Sequence, residues 1–262
     1  MGALQIISGF VTAPSTTATA LTLAAGDSLQ IKNAPKNGIL LTAWGDWQTA
    51  GMLRIRSPRM HDNVQGLRLE GVASEVYPLF WPPASQVLVP QDTLIVEMTG
   101  SATGGDIESS SLLVYYPDLP GSNGRFLTYA QYMARAVWNP VGVENTLALG
   151  TAGGYSGEEA INAEFDLLKA NTDYALVGYN VTAECCSVGW RGPDTGNLRV
   201  GGPGHELDKR VTNNWFVELA RVTGWPLIPV FNSANKGATL VDGVQDENGT
   251  DTTVTSILMQ LR

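Results

Sequence analysis

Short apolar runs broken by glycine, proline and asparagine set the pattern of this chain. Leu4 to Val11 is a first apolar strand, and the Thr-, Ala- and Ser-rich stretch from Thr12 to Ala20 suits an extended arm or an edge strand. Ser28-Leu-Gln-Ile-Lys32 alternates with period two, as a strand covered on one face does. Asn37-Gly38 marks a hairpin, because both residues tolerate positive φ, and Ile39 to Trp44 is its apolar partner. Met52 to Arg56 and Leu67 to Gly71 read as strands, with His61, Asp62 and Asn63 in a loop between them. Val76 to Trp81 is apolar until Pro82-Pro83 breaks it. Gln86 to Val89, Thr93 to Met98 and Ser109 to Tyr116 complete about eight strands, with turn signals every ~8–12 residues, the spacing of a sandwich or barrel.

Pro117 to Gly124 reads as a linker. The period then changes: Phe126, Tyr129, Ala130, Met133 and Val137 recur at helical spacing, which predicts one helix over Arg125 to Trp138, ended by Asn139-Pro140. Such a helix packs across two sandwiches or swaps into a neighbouring subunit. After a Gly-rich opening from Gly150 to Gly157, strands are expected at Ala163 to Leu168, Tyr174 to Ala183 and Ser187 to Trp190. Pro193 to Asn197 reads as a turn and Gly201 to Gly204 as a loop. Asn214 to Val222 fits a strand or a helix. Trp225 to Phe231, Thr239 to Val244 and Val254 to Leu261 close the chain.

The order of these runs suggests a duplication. Ser111-Leu112-Leu113-Val114 lies over Ser256-Ile257-Leu258-Met259, and both follow a Gly-x-Asp turn. Ile39 to Trp44 lies over Tyr174 to Tyr179, and Arg56-Ser57-Pro58 over Arg191-Gly192-Pro193. Leu67-Arg68-Leu69 then matches Leu198-Arg199-Val200, and Tyr77-Pro78-Leu79 matches Trp225-Pro226-Leu227. The expected fold is all-β: two tandem β-sandwich or jelly-roll domains, 1–117 and 146–262, joined by a linker and one short α-helix over 118–145.

Composition narrows the function. The 262 residues are enough for two domains that need no staples. Charged residues make up 16%, against a typical ~25%, which suits faces covered by neighbours. A net charge of −9 disfavours direct nucleic-acid binding. Arg54, Arg56, Arg59 and Arg68 cluster, and read as a solvated face or an ion-pair surface between subunits. The adjacent Cys185 and Cys186 suit a strand with one side chain in and one out, not a disulfide framework. No basic leader and no run near the ~20 apolar residues of a membrane helix is seen, so no membrane span is expected.

No catalytic signature stands out. Gly154-Tyr-Ser156-Gly157-Glu158 lacks the last glycine of a nucleophile elbow, and the two histidines, His61 and His205, fall in different halves. Asp242, Asp246, Glu247, Asn248 and Asp251 form an acidic stretch without calcium-loop spacing. No cofactor or metal is expected. Trp81 and Trp225, beside prolines, suit core plugs or subunit contacts, as Arg54, Arg56 and Arg59 suit subunit contacts. Trp44 and Trp47 could stack a sugar ring in an alternative reading, a carbohydrate-binding sandwich or glycan-active enzyme. The carboxylate pair which hydrolysis needs would come from Glu158 and Glu159, or from Glu206 and Asp208.

The paired closing strands, the Arg-x-Pro turns at Arg56 and Arg191 and the strand count per half resemble the tandem jelly-roll (double β-barrel) capsid proteins of icosahedral viruses. In that family two barrels stand side by side, and three copies form a pseudo-hexagonal block that tiles a shell. The chain is short for two jelly rolls with long tower loops and lacks a basic N-terminal arm. The resemblance implies a virion structural protein, made in the host cytoplasm. It would be a bacteriophage capsid protein or head decoration protein without catalysis. Its partners would be itself, as a homotrimer, and other capsid proteins.

Overall fold

The computed structural model describes residues 2–148, 154–164, 166–204, 212–244 and 251–262. The first half supplies β1 (Ala3–Thr12), β2 (Thr19–Ala20), β3 (Thr22–Leu23), β4 (Gly38–Asp46), β5 (Gly51–Arg56), β6 (Leu67–Gly71), β7 (Gln86–Leu88), β8 (Ile95–Thr99) and β9 (Ile107–Tyr116). These pair antiparallel in two sheets, β3-β1-β9-β4-β7 and β2-β8-β5-β6. Next come β10 (Phe126–Leu127), α1 (Tyr129–Arg135), β11 (Ala136–Leu147), β12 (Glu159–Ala160), β13 (Asp173–Val181) and β14 (Cys185–Arg191). After them run β15 (Val200–Gly204), α2 (Trp215–Thr223), β16 (Ile228–Asn232), β17 (Leu240–Val244) and β18 (Thr252–Leu261). These form the sheets β10-β16-β13-β18-β11 and β12-β17-β14-β15.

Among the described residues, and with the two-residue β3 and β10 set aside, each half has eight strands in one order. The first, eighth, third and sixth make one sheet, and the second, seventh, fourth and fifth make the other. That is the double-sheet jelly roll, so the fold is an all-β sandwich, as the sequence predicts.

The strand pairings correct the alignment read from sequence. Leu40 faces Val114, one residue bulges, and Thr42 faces Leu113. In the second half Leu176 faces Leu258, one residue bulges, and Gly178 faces Ile257. Leu176 thus stands 136 residues after Leu40, and Leu258 stands 144 after Val114. The alignment of Ile39 with Tyr174 and of Ser111 with Ser256 sets these offsets at 135 and 145. A slip of one residue exchanges the two faces of a strand. With the slip removed, Leu112 corresponds to Ser256, and both point into their own sandwich. The match of Arg56 to Arg191 stands, because Arg54 faces Glu97 as Gly189 faces Asp242. Leu67 matches Val200 rather than Leu198, since they pair with Ile55 and Trp190. Tyr77 to Leu79 lies in no strand, and the segment placed before β7 as Trp225-Pro226 is before β16 is Trp81-Pro82.

Other expectations give way to tertiary context. Ser28 to Lys32 forms only an isolated bridge, Gln30 to Thr93, so no hairpin turns at Asn37-Gly38; β4 pairs with β9 and β7 instead. Val76 to Trp81 is not a strand, and the described residues of 163–168 form none. The helix stops at Arg135. Residues 126–127 and 136–145, expected in the connecting segment, belong to β10 and β11 of the second pair of sheets. Gly201 to Gly204, expected as a loop, lies in β15, and Asn214 to Val222 resolves into α2.

The four sheets stack. Ile7, Leu40, Ala43, Leu112 and Val114 meet Leu53, Ile55, Val96 and Met98 inside the first sandwich. The opposite face of the same five-stranded sheet, through Leu4, Ile6, Leu41, Trp44, Leu113 and Tyr115, packs on β14 and β15 of the second. Trp190 of β14 then points into the second sandwich, where its Nε1 donates to Ser256 Oγ at 2.9 Å. The two inner sheets are thus covered on both faces. From Glu108 to Tyr116 every residue of β9 is buried, whereas β18, covered mainly on one face, alternates. The outer face of the first sheet carries Arg54, Arg56, Arg68 and Glu97, and that of the last carries Glu144, Asn180, Thr253, Thr255 and Ile257.

Candidate functional site

The joint between the inner sheets gathers the chain's chemistry. Its aromatic part comes from strands and a helix distant in sequence. Trp44 of β4 donates from Nε1 to Cys186 O at 2.7 Å and to Ser187 Oγ at 3.1 Å. The edge of Trp215, at the start of α2, meets Trp44 with ring centres 5.9 Å apart and Trp81 at 5.2 Å. Trp215 Nε1 donates to Gly201 O at 2.9 Å. Tyr115 of β9 stacks on Trp225 at 5.4 Å, and burial pushes its phenol up to about 12. Close approach explains the glycines of β15: a Cβ on Gly201 would stand 2.6 Å from Ile6 Cδ1, and one on Gly202 2.6 Å from the Trp215 ring.

A hydroxyl chain crosses the same joint. Ser8 Oγ lies 2.8 Å from Ser111 Oγ, which lies 2.5 Å from Ser187 Oγ. Beside it sits a charged cluster. Ile6 N donates to Arg199 O at 2.8 Å, tying β1 to the residue that leads into β15. The Arg199 side chain is 11% exposed; its guanidinium grips both oxygens of Asp242 at 2.6–3.0 Å and lies 3.6 Å from Glu158. It covers the Tyr155 ring at 3.5 Å and stands 4.0 Å from Asp27 of the first sandwich. Glu158 also pairs with Arg191. Asp27 Oδ2 accepts from Ser8 N at 2.7 Å and from Tyr155 OH at 2.6 Å. Burial raises the carboxyls of Asp27 and Asp242 above their ordinary range. For Arg199 burial works towards a lower value, but Asp242 more than offsets it and the guanidinium stays charged.

The residues singled out from sequence fall as follows. Trp44 and Trp47 are 0% and 1% exposed, so neither offers a face to a sugar. Trp47 fills a slot walled by Gly45, Gly51 and Gly71. Trp81 and Trp225 are half-buried and bridge the two sandwiches within the chain. Arg54 and Arg56 share Glu97 at 2.8 and 3.0 Å, which holds that carboxyl below its usual range; Arg59 is exposed. Cys185 and Cys186 are both buried, not one in and one out, because β14 is covered on both sides. Asp242 serves Arg199 and not an ion-binding loop, while His205, Glu206, Asp208, Asp246, Glu247 and Asn248 lie outside the described residues. Among the described residues no group of three or more His, Cys, Asp or Glu suits a metal, and no helix is long and apolar enough to cross a membrane. Sequence reasoning missed Asp27, Tyr155 and Trp215 as partners. Only the glycine run before Trp215 signalled a close approach there.

An apolar groove of about 360 Å³ opens at the rim of the joint, lined by Ile39, Pro82, Pro83, Val87, Val222 and Trp225.

No protein-family model matches the sequence, and no curated protein matches it. Among solved structures the chain is similar to the PBSX exported protein XepA, at 9% identity and a TM-score of 0.28, over 98% of this chain and 86% of that one. It is also similar to the major capsid protein P2 from bacteriophage PM2, at 9% identity and a TM-score of 0.21, over 100% of this chain and 98% of that one. At these values the likeness says nothing about what this chain does.

Proposed function

We propose that this chain is a virion structural subunit, built from two copies of one jelly roll, the first closing with β9 and the second opening with β11 rather than at residue 146. It forms or reinforces an icosahedral shell without catalysis. The observation that carries this reading is the joint. One five-stranded sheet is buried on both faces, so two jelly rolls act as a single stiff block, which suits bearing load in a lattice. Fold alone does not fix function, and the joint adds a mechanical reason. In this reading copies associate as a homotrimer and touch other shell proteins. Arg54 and Arg56 on the outer face, Arg59 in the turn after β5, and the half-buried Trp81 and Trp225 beside the groove make those contacts.

Light scattering across a concentration series tests it. A particle of three times the 28.0 kDa chain mass, or a larger closed assembly, is expected. A monomer at every concentration would overturn the self-associating subunit.

A further inference from the structure

Open sheet edges invite pairing with another chain, and folded proteins keep such edges short. Among the described residues seven of the eight edge strands follow that rule, with two to five residues each. The exception is β11, with twelve. The first half shows how the same edge is covered when it is closed. β1 corresponds to β11, and Ile6 to Gly142, because these residues face Leu113 and Ile257 of the matching strands β9 and β18. Ile6 N donates across the joint to Arg199 O at 2.8 Å. Ser8 N donates to Asp27 Oδ2 at 2.7 Å, Ser8 O accepts from Ala24 N at 3.0 Å, and Phe10 faces Thr22 of β3. In the second half Thr146, the counterpart of Phe10, donates its backbone N–H to Glu164 Oε1 at 2.5 Å. Outward groups alternate along an antiparallel strand, so the N–H and C=O of Gly142 and Glu144 face the same way. Both residues are exposed, and no described residue bonds to these groups.

A bulge marks the start of this edge. β11 advances four residues from Ala136 to Pro140 while β18 runs two, from Leu261 to Met259. Within the bulge Trp138 takes φ 60, a rare conformation for a bulky residue, and stands 60% exposed against the Tyr132 ring. We infer that β11 is the surface through which two copies of this chain join, strand against antiparallel strand across a two-fold axis, so that two five-stranded sheets run on as one. The occupant is a second β11, because no other described edge strand is long enough to run beside it and one two-fold serves both copies at once. Charge sets the register. Glu144 opposite Glu144 would put like charges face to face. An axis through Gly142 instead puts each Glu144 opposite Pro140, which has no N–H to leave unpaired, and brings two residues without side chains together. Gly142 N and Glu144 N of each copy then gain acceptors in the other, and Trp138 shields each end of the pairing from water. This contact rests on the chain being a self-associating subunit, but not on there being three copies.

Amide hydrogen exchange on the full chain, read from micromolar to millimolar concentration, tests this at Gly142 and Glu144. Several-fold slower exchange at both amides is expected as concentration rises, and Trp138→Ala should move that change to higher concentration. Cross-linking tests the register. Facing residues of a hydrogen-bonded pair stand about 5.5 Å apart at Cα, within disulfide reach. Gly142→Cys should therefore form a disulfide between two 28.0 kDa chains in air, whereas Thr253→Cys, on the outer face of β18, should not. The native Cys185 and Cys186 are buried. Amides that exchange at one rate at every concentration, or equal cross-linking by both variants, would overturn the inference. If Gly142→Cys does not fold, exchange in the unmodified chain decides. A particle of three chains with these amides unprotected rejects the β11 contact and leaves the three-copy reading standing. Protected amides in a particle of two chains support the contact and remove that reading.

Discussion

At the scale of single residues, the core is shaped as much by what is missing as by what is present. Trp47 fits because Gly45, Gly51 and Gly71 leave room, and a Cβ on Gly71 would stand 2.3 Å from its ring. Gly71→Ala should therefore cost about 1–3 kcal/mol, read as a lower urea midpoint at unchanged slope. Glu97 carries a pH prediction of its own. Arg56 first, and then Arg54, hold it below the usual range against burial. Its contribution is present above the ordinary glutamate value and lost as pH falls through the depressed one. Glu97→Gln should lower the melting temperature at neutral pH and leave it little changed in strong acid, a difference visible in a pH series of thermal melts. The sequence could not show Trp47's slot, because its glycines are scattered over β4 to β6 and meet only when the sheets do.

At the scale of elements, legibility followed coverage. The closing strands β9 and β18 were readable as strands from their apolar runs. So were β4, β5, β6 and β17, whose patterns are local. The face each strand presents was less readable. β9 is covered on both sides, so Leu112 and Leu113 look alike in sequence though they enter different cores. That ambiguity is what let the repeat be matched one residue out of step. The helix is a second lesson. Helical spacing ran on to Val137, but the backbone leaves the helix at Ala136, and Trp138 takes φ 60 as β11 begins beside β18. The start of α1 is fixed locally. Thr128 Oγ1 accepts from Gln131 N, and Gln131 Oε1 accepts from Thr128 N at 2.9 Å, a capping box. Thr128→Ala should cost about 1 kcal/mol, with faster amide exchange at Gln131 and Tyr132 as the local sign.

For the whole molecule, the joint was the part least visible in advance. Its members come from both ends of the chain: Tyr155 lies 128 residues from Asp27, and Ser187 lies 143 from Trp44. No local period can announce such pairs. Low charge content did foretell a covered surface, and much of that cover turns out to be the other half of the same chain. The joint also sets unlike surfaces together, a five-stranded sheet on a four-stranded one. Contacts of this heterologous kind propagate into fibres whenever the two free ends match each other. Here they do not. Where the first half offers Trp44, Ile6 and Ser8 to its neighbour, the second offers Asn180, Gly142 and Glu144. Where the second offers Gly189 with Ser187, the first offers Arg54 with Met52. Repetition of this joint contact thus stops at two storeys, and copies of the chain cannot stack through it into a column.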